Sequence, residues 1–268
     1  MSQTAAAPRP RPRIRLNRVV FVLLISVLVV LVVKVVVPRV QLILATTRVA
    51  PAYSPPVLAG QMLWGCTGGF YARQGDRVVI AYSAHCASPN GTVTLPDGRL
   101  LGQSGMAANI VPCPAGRVCE SSDFMPVYLD PTNIPWGHLN LVDFTGGGYR
   151  TIAAGSRPLA CADIHVGDSV ELGGRNWYRT GNVVVSERYE FAADVIFPCM
   201  LVTDIEVGIG DSGGAVLVNG QPAGITAREI DGSLGFTPLA EGLATLNLTL
   251  CTDPDCGLTP PAGIGAGG

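Results

Sequence analysis

Apolar residues follow two different patterns along this chain. From Val19 to Val37 every residue is apolar except Ser26 and Lys34. From about residue 60 onward, short apolar runs alternate with turn residues, as in Arg77–Tyr82. Such runs are typical of strands, and no long amphipathic helix pattern follows Val37. The sequence therefore predicts a segment long enough to cross a membrane, followed by an all-β domain.

Turn signals place one hairpin and one further turn within this domain. Asn219-Gly220 separates the apolar run Ala215–Val218 from Pro222–Thr226, which predicts a β-hairpin with a type I′ turn. Pro96-Asp97-Gly98 breaks the strand-like stretch between Gly91 and Leu101 in the same way. The hairpin follows Ser212 directly, so that serine is expected on a loop that enters a buried strand.

The N-terminal region favours a membrane anchor. About twenty apolar residues span a bilayer, which predicts a transmembrane helix over residues 19–37, with Lys34 reaching back to the headgroups. The Arg/Pro-rich residues 1–18 would stay in the cytoplasm and the rest would lie outside. A cleaved secretory signal is the alternative, with a cleavage site in Leu42–Ala45 or Val49–Ala52. Both interpretations put the β domain on the same side of the membrane.

The segments on either side of the domain are rich in Pro and Gly. Residues 38–59 contain Pro51, Pro55 and Pro56 and are expected to form an extended stalk. The domain is predicted over residues 60–252, and residues 253–268 are expected to form a flexible tail.

Charge and cysteine content exclude several classes of function. Six of the 18 Lys and Arg residues lie within residues 1–38, where there is no Asp or Glu. The remainder has twelve basic and 20 acidic residues, a net charge of −8, which argues against nucleic acid as a partner. Eight cysteines are typical of disulfides in an oxidising compartment. Without a Cys-x-x-Cys motif and with three histidines, no metal site is expected.

The stretch Gly210-Asp211-Ser212-Gly213-Gly214 is the strongest chemical signal in the chain. A serine between glycines suits a hydroxyl nucleophile on a tight turn, because backbone N–H groups can approach a developing oxyanion where no Cβ intervenes. Such a serine needs a base and an acid that orients the base. His85 and Asp123 lie upstream in that order and are the candidates for these two roles.

Other residues compete for the same roles. His138 and His165 lack the setting Ala84-His85-Cys86, so His85 is the preferred base. Glu120 and Asp130 lie close to Asp123 in sequence and are its rivals.

These blocks together resemble the chymotrypsin-like (trypsin-fold) serine proteases, bacterial members in particular. The resemblance covers roughly residues 60–251 and is carried by Gly65-Cys66-Thr67-Gly68-Gly69-Phe70, Ser83-Ala84-His85-Cys86, Asp123-Phe124-Met125-Pro126-Val127, Gly210-Asp211-Ser212-Gly213-Gly214 and Ala223-Gly224-Ile225-Thr226. It implies two six-stranded antiparallel Greek-key β-barrels. It also implies a serine endopeptidase that cleaves protein or peptide substrates through an acyl-enzyme, without metal or organic cofactor.

The resemblance assigns further roles. The N–H groups of Gly210 and Ser212 would form the oxyanion hole, and Asp123 is favoured because an apolar strand follows it. Cys66 and Cys86 match a disulfide of the family, and residues 239–246 match its short C-terminal helix. Of the remaining pairs, Cys113–Cys119 and Cys251–Cys256 rest on proximity in sequence, which leaves Cys161–Cys199. Eight cysteines allow about 105 pairings.

The substrate pocket departs from the family pattern. By the family's spacing, Glu206 falls where the floor of the S1 pocket lies, the pocket that receives the side chain preceding the cleaved bond, and a carboxylate there would favour Lys or Arg. A surface or loop glutamate is the equal alternative for this residue. Ala227-Arg228-Glu229 replaces the usual Ser, an aromatic or small residue, and Gly. Arg228 would pair with Glu206 and fill the pocket, or Glu229 would narrow its entrance. A catalytically weak or inactive binding or sensing ectodomain is therefore the alternative function.

Overall fold

The structure, a computed structural model, describes residues 57–261 except 108–109, 113–117, 121–122, 176 and 192–194. The predicted cytoplasmic tail, the membrane segment 19–37, most of the stalk and residues 262–268 lie outside the described residues. Among the residues that are described, no helix has the length and apolarity needed to cross a membrane.

Strands dominate the described part of the chain. They are β1 (Tyr71–Gln74), β2 (Arg77–Tyr82), β3 (Thr92–Thr94), β4 (Leu100–Ser104), β5 (Ile110–Pro112), β6 (Val118–Glu120), β7 (Met125–Leu129), β8 (Leu141–Phe144), β9 (Gly148–Thr151), β10 (Ser169–Leu172), β11 (Arg179–Phe191), β12 (Val195–Glu206), β13 (Ala215–Val218), β14 (Gln221–Ile230), β15 (Ser233–Pro238) and β16 (Thr249–Leu250). The α-helix α1 spans Leu239–Thr245, and short 3-10 turns cover Ala84–Cys86, Pro131–Asn133 and Cys161–Asp163.

The first sheet has six strands in the order β16-β1-β2-β7-β4-β3, paired antiparallel throughout. Its central pair, β2 and β7, aligns Ile80 with Val127, and both side chains are buried. Phe70 and Phe124 fill the same core. His85 follows β2 and Asp123 precedes β7, so the pairing of these two strands brings the ends that carry the two residues together.

The second sheet contains a closed ring of six strands. The order β11-β10-β13-β14-β15-β12 is closed by an antiparallel pairing of β11 with β12. Leu172, Leu201, Val216 and Phe236 are buried inside it. Beyond the ring, β6 pairs with β12 in parallel and β5 extends the sheet. The predicted all-β fold is confirmed with two barrel-like sheets, whereas the parallel pairing of β6 with β12 was not predicted.

The predicted turns and helix are present. Asn219 and Gly220 have φ values of +50° and +76°, as a type I′ turn requires. Gly98, with φ +85°, closes the turn between β3 and β4. Helix α1 lies where the resemblance placed a C-terminal helix.

The domain extends past both predicted boundaries. Val57 and Ala59, assigned to the stalk, are buried, and the Tyr71 hydroxyl donates a hydrogen bond to the Val57 carbonyl. Residues assigned to the C-terminal tail also pack against the domain. The Leu139 N–H donates a hydrogen bond to the Pro254 carbonyl at 2.9 Å, and Cys256 is buried. The packed domain therefore includes residues 57–59 and at least 253–256.

Three of the predicted disulfides are present, namely Cys66–Cys86, Cys161–Cys199 and Cys251–Cys256. Cys113 of the predicted Cys113–Cys119 pair lies outside the described residues, so this pair stays a prediction. The Cys66–Cys86 disulfide joins the segment before β1 to the turn that carries His85. It thereby restrains the backbone next to that histidine.

A polar cluster joins the β8–β9 hairpin to the second sheet. Arg150 Nε and Nη2 donate to Glu171 Oε2 at 3.0 and 2.8 Å, and the Tyr178 hydroxyl donates to the same oxygen at 3.0 Å. The hydrogen-bonded Glu171 carboxylate raises the pKa of Arg150. The Phe144 and Tyr178 rings pack edge to face at 5.9 Å. The segment that precedes β11 is thus fixed against its neighbours.

The disulfides should differ in their contribution to stability. Replacing both Cys161 and Cys199 with Ala opens a link across 38 residues and should lower the free energy of unfolding by ~4 kcal/mol, because the unfolded chain regains more freedom. The same change at Cys251 and Cys256, five residues apart, should cost ~2 kcal/mol. Urea unfolding followed by tryptophan fluorescence measures both. An equal or larger loss for the short link would contradict this expectation.

Candidate active site

His85 is fixed to Asp123 by two contacts. The imidazole Nδ1 and Asp123 Oδ2 are hydrogen-bonded, and the His85 backbone N–H donates to Asp123 Oδ1 at 3.1 Å. Because a carboxylate only accepts, the imidazole Nδ1 carries a proton, and in the corresponding neutral tautomer the lone pair is on Nε2. The arrangement presents Nε2 as a base, with the ring orientation set by Asp123.

Asp123 is 2% exposed, and burial of a carboxylate is unfavourable without partners. Both of its oxygens are engaged by His85, and its backbone carbonyl accepts from the Ala84 N–H at 3.3 Å. Its rival Asp130 instead accepts from the Thr132 N–H at 3.0 Å and stabilises the turn after β7. The side chain of Glu120 is not described. The structure therefore brings together the predicted His85 and Asp123.

Thr67 lies in the segment before β1 and is hydrogen-bonded to the loop that carries Ser212. The Thr67 N–H donates to the Ser212 carbonyl at 2.8 Å, and its hydroxyl donates to the Gly210 carbonyl at 2.7 Å. Gly213 has φ +83°, and a Cβ at this position would lie 2.2 Å from the Thr67 carbonyl oxygen. Only glycine allows the loop to approach this closely.

The predicted oxyanion-hole groups are both available. Within the described part of the chain, neither the Gly210 N–H nor the Ser212 N–H donates a hydrogen bond. Gly210 has φ +96°, a conformation that favours glycine. Two unengaged N–H groups on the nucleophile loop can stabilise an oxygen that acquires negative charge beside Ser212.

Asp211 is fully buried and has a cationic partner that the sequence did not reveal. Arg179 Nη2 donates to Asp211 Oδ2 at 2.9 Å, and the Gly208 N–H donates to the same oxygen at 2.9 Å. Arg179 Nη1 also donates to the Glu206 carbonyl. One guanidinium thus holds the segment that leads into the nucleophile loop. A buried Asp is unfavourable without a partner, so a cation beside Asp211 could have been expected from the sequence. Which of the basic residues is that cation could not be predicted, because Arg179 lies 32 residues away along the chain.

A cavity of about 280 Å³ opens beside the catalytic candidates. It is lined by His85, Val207, Gly208, Ile209, Ser212, Thr226, Ala227, Arg228 and Glu229. The base and the nucleophile therefore face one space. That space is large enough for a substrate side chain.

The structure corrects the predicted floor of this cavity. Ala227, Arg228 and Glu229 line it as expected, but Glu206 does not. The Glu206 side chain is exposed at the end of β12, and no ion pair joins it to Arg228 within the described residues. Arg228 instead lies over the Phe197 ring, with Cζ 4.8 Å from the ring centroid. The Lys or Arg preference inferred from Glu206 loses its basis.

One edge of β14 lies open along this cavity. Strand β13 pairs with β14 only as far as Ile225, whereas β15 pairs with β14 on its other edge through Ile230. Residues 227–229 therefore lack a strand neighbour on the side of β13 among the described residues. An extended peptide can add to such an edge by backbone hydrogen bonds.

Potential metal ligands come together at one place in the described residues, where Cys66 and Cys86 lie near His85. The two sulfurs are joined in a disulfide and do not act as thiolate ligands. The residues of the cavity likewise form no set of carboxylates or imidazoles suited to a metal ion.

No protein family model matches the sequence, and no curated protein matches it either. Solved structures do match. Protease A of Thermobifida fusca is 24% identical with a TM-score of 0.53, and the match covers 72% of this chain and 97% of that protein. A protease described as specific for glutamic acid, with a histidine triad in substrate binding, is 20% identical with a TM-score of 0.58, covering 72% and 100%. The Nocardiopsis protease is 21% identical with a TM-score of 0.55, covering 72% and 98%. The chain thus has the fold of the bacterial chymotrypsin-like serine proteases.

Proposed function

We propose that this chain is a serine endopeptidase with Ser212 as nucleophile, His85 as general base and Asp123 as the residue that orients the base. One observation carries the proposal. His85 is bonded to a buried Asp123 on one side and shares a cavity with Ser212 on the other. The fold and the order of the three residues support the same activity.

The geometry suits acyl transfer. The Ser212 Oγ attacks the peptide carbonyl carbon while His85 Nε2 accepts the hydroxyl proton. The carbonyl oxygen becomes an oxyanion that accepts hydrogen bonds from the N–H groups of Gly210 and Ser212. His85 then donates the proton to the leaving amine, which breaks the C–N bond and leaves an ester on Ser212. Water, deprotonated by His85, hydrolyses the ester and restores the serine.

The substrate would be an extended peptide bound along the open edge of β14. Backbone hydrogen bonds to residues 227–229 would place the attacked carbonyl beside Ser212, and the preceding side chain would enter the cavity. Because main-chain contacts recur in every peptide, they supply affinity, and the cavity supplies selectivity.

We further propose that the enzyme acts outside the cytoplasmic membrane. The apolar segment 19–37 and the basic residues before it support an anchored protein with an external domain. Three disulfides support an oxidising compartment. Secretion after signal cleavage is the alternative, and the N-terminal mass of the protein recovered from membranes separates the two.

A second candidate function is a binding or sensing domain with little or no hydrolysis. Two neighbouring charged residues in the cavity wall, Arg228 and Glu229, favour it, because they reduce the apolar surface that receives a side chain. The two functions differ in whether Ser212 is reactive.

A fluorophosphonate probe should label the full-length chain, purified in mild detergent, at Ser212. Ser212→Ala should abolish labelling and His85→Ala should lower peptide hydrolysis by roughly a thousandfold or more, because the nucleophile loses its base. Ser156→Ala and His165→Ala serve as matched controls outside the cavity and should behave as wild type. If the folded wild-type chain were not labelled, the binding function would replace the enzymatic one.

Arg179 should be needed for both stability and activity. Arg179→Met leaves Asp211 buried without its cation and should lower the free energy of unfolding by about 3 kcal/mol. The probe should also react more slowly, because the segment before Ser212 loses its support. Arg179→Lys, which keeps the charge, should recover part of both losses. Thermal unfolding and labelling rates measure them, and wild-type values for Arg179→Met would refute the role.

A further inference from the structure

Arg175 covers one side of Gly210, whose N–H is a proposed donor of the oxyanion hole. A Cβ built on Gly210 would lie 2.5 Å from Arg175 Cδ and 3.1 Å from Arg175 Nη1. Because a Cβ is only about 1.5 Å from its own Cα, the stem of Arg175 is in van der Waals contact with the Gly210 backbone. Arg175 is half-buried in this position. A guanidinium thus lies beside the loop that carries the nucleophile.

The backbone before Arg175 is fixed against the same loop. The Gly173 N–H donates to the Ala215 carbonyl at 3.0 Å, directly after the loop. A Cβ on Gly214 would lie 2.3 Å from the Gly173 carbonyl oxygen, so the two segments run as close together as glycine allows. Arg175 follows two residues later. Its position beside Gly210 is therefore set by the packing of the backbone.

The guanidinium is close enough to act on an oxyanion that is bound to the Gly210 N–H. A Cβ lies about 2.5 Å from the nitrogen of its own residue, so Arg175 Nη1 is within roughly 6 Å of the Gly210 nitrogen. An oxyanion would accept from that N–H at about 2.9 Å, which puts it at most about 9 Å from Nη1. This limit holds for every direction of approach. It is shorter than the distance of about 10 Å over which charges interact in 0.1 M salt.

Arg175 adds positive charge at this place. In the part of the chain that the structure describes, no carboxylate lies within ion-pair distance of its guanidinium. The other arginine at the loop, Arg179, is paired with Asp211, so these two cations and one anion leave a net charge of +1. The side chains of Glu206 and Glu229 are exposed, where solvent and salt screen them.

We propose that Arg175 stabilises the negative charge that develops in the oxyanion hole, by electrostatic attraction across Gly210. This inference rests on the proposed endopeptidase function and adds a charged group to the two N–H groups of the hole. The charge is present and held in place before the reaction starts, so it acts without reorganisation. It acts more strongly on the transition state than on the neutral carbonyl of the bound substrate, and therefore favours the reaction.

The rate constant for fluorophosphonate labelling of the full-length chain tests this inference, because negative charge develops on the phosphonyl oxygen as Ser212 attacks. Arg175→Met keeps the apolar stem and removes the charge, and in 10 mM sodium chloride it should label about fivefold more slowly than wild type. Arg175→Lys keeps the charge and should stay within about twofold of wild type. Arg157→Met removes a charge from an exposed residue outside the cavity and should match wild type.

Salt separates an electrostatic role of Arg175 from a structural one. The screening length falls from about 30 Å in 10 mM salt to about 3 Å in 1 M salt. The difference between Arg175→Met and wild type should therefore shrink to less than about twofold in 1 M sodium chloride. An equal deficit at both salt concentrations would assign Arg175 to loop packing and overturn the inference. Wild-type labelling by Arg175→Met in 10 mM salt would overturn it as well.

The same measurements distinguish this inference from the proposed function. A folded wild-type chain that does not label at Ser212 overturns both. A wild-type chain that labels, with an Arg175→Met chain that labels equally fast, overturns only the role of Arg175. Circular dichroism verifies that each variant is folded. If Arg175→Met does not fold, the wild-type chain decides, since its labelling rate must fall by at least about twofold between 10 mM and 1 M salt.

Discussion

The candidate site depends on Thr67, which holds the nucleophile loop of the second sheet against the first. Thr67 is fully buried, and it donates both its backbone N–H and its hydroxyl to carbonyls of that loop. The Ser83 hydroxyl adds a second link to the Thr226 carbonyl. His85 follows β2 and Asp123 precedes β7 of the first sheet, whereas Ser212 precedes β13 of the second, so these hydrogen bonds join the two parts of the chain that carry the three residues.

Two buried carboxylates lie on either side of this contact and are stabilised in different ways. Asp123 is hydrogen-bonded to His85, and in the proposed mechanism its buried carboxylate would stabilise the imidazolium that forms when His85 accepts a proton. Asp211 is paired with the guanidinium of Arg179, so its buried charge already has a cationic partner. In the proposed mechanism the first arrangement would serve proton transfer, whereas the second keeps the loop backbone in place. The two carboxylates thus differ because one is paired with an imidazole and the other with a guanidinium.

Local sequence was sufficient to predict the catalytic candidates and the hairpin after Ser212. Glycines around a serine, a histidine beside a cysteine and the Asn219-Gly220 turn each specify a backbone conformation within a few residues. The prediction that Glu206 forms the floor of the cavity was wrong. The position of Glu206 depends on where β12 ends and on the hydrogen bond that Arg179 donates to the Glu206 carbonyl. The parallel pairing of β6 with β12 and the partner of Asp211 were missed for a related reason. They join segments far apart in sequence, and no periodic pattern marks such pairs.

The wall of the cavity is harder to predict from sequence than the three candidate catalytic residues, because local signals restrain the wall less. The candidate catalytic residues are restrained by glycines that admit no Cβ and by buried carboxylates that need partners, so few residue types fit these positions. Ala227, Arg228 and Glu229 lie where β14 leaves the support of β13, and one edge of the strand there is open. Fewer backbone constraints apply at that edge, so its side chains can change while the fold persists. Charged residues at these positions are therefore compatible with an assembled site, and in the proposed endopeptidase they would act on which substrate enters the cavity.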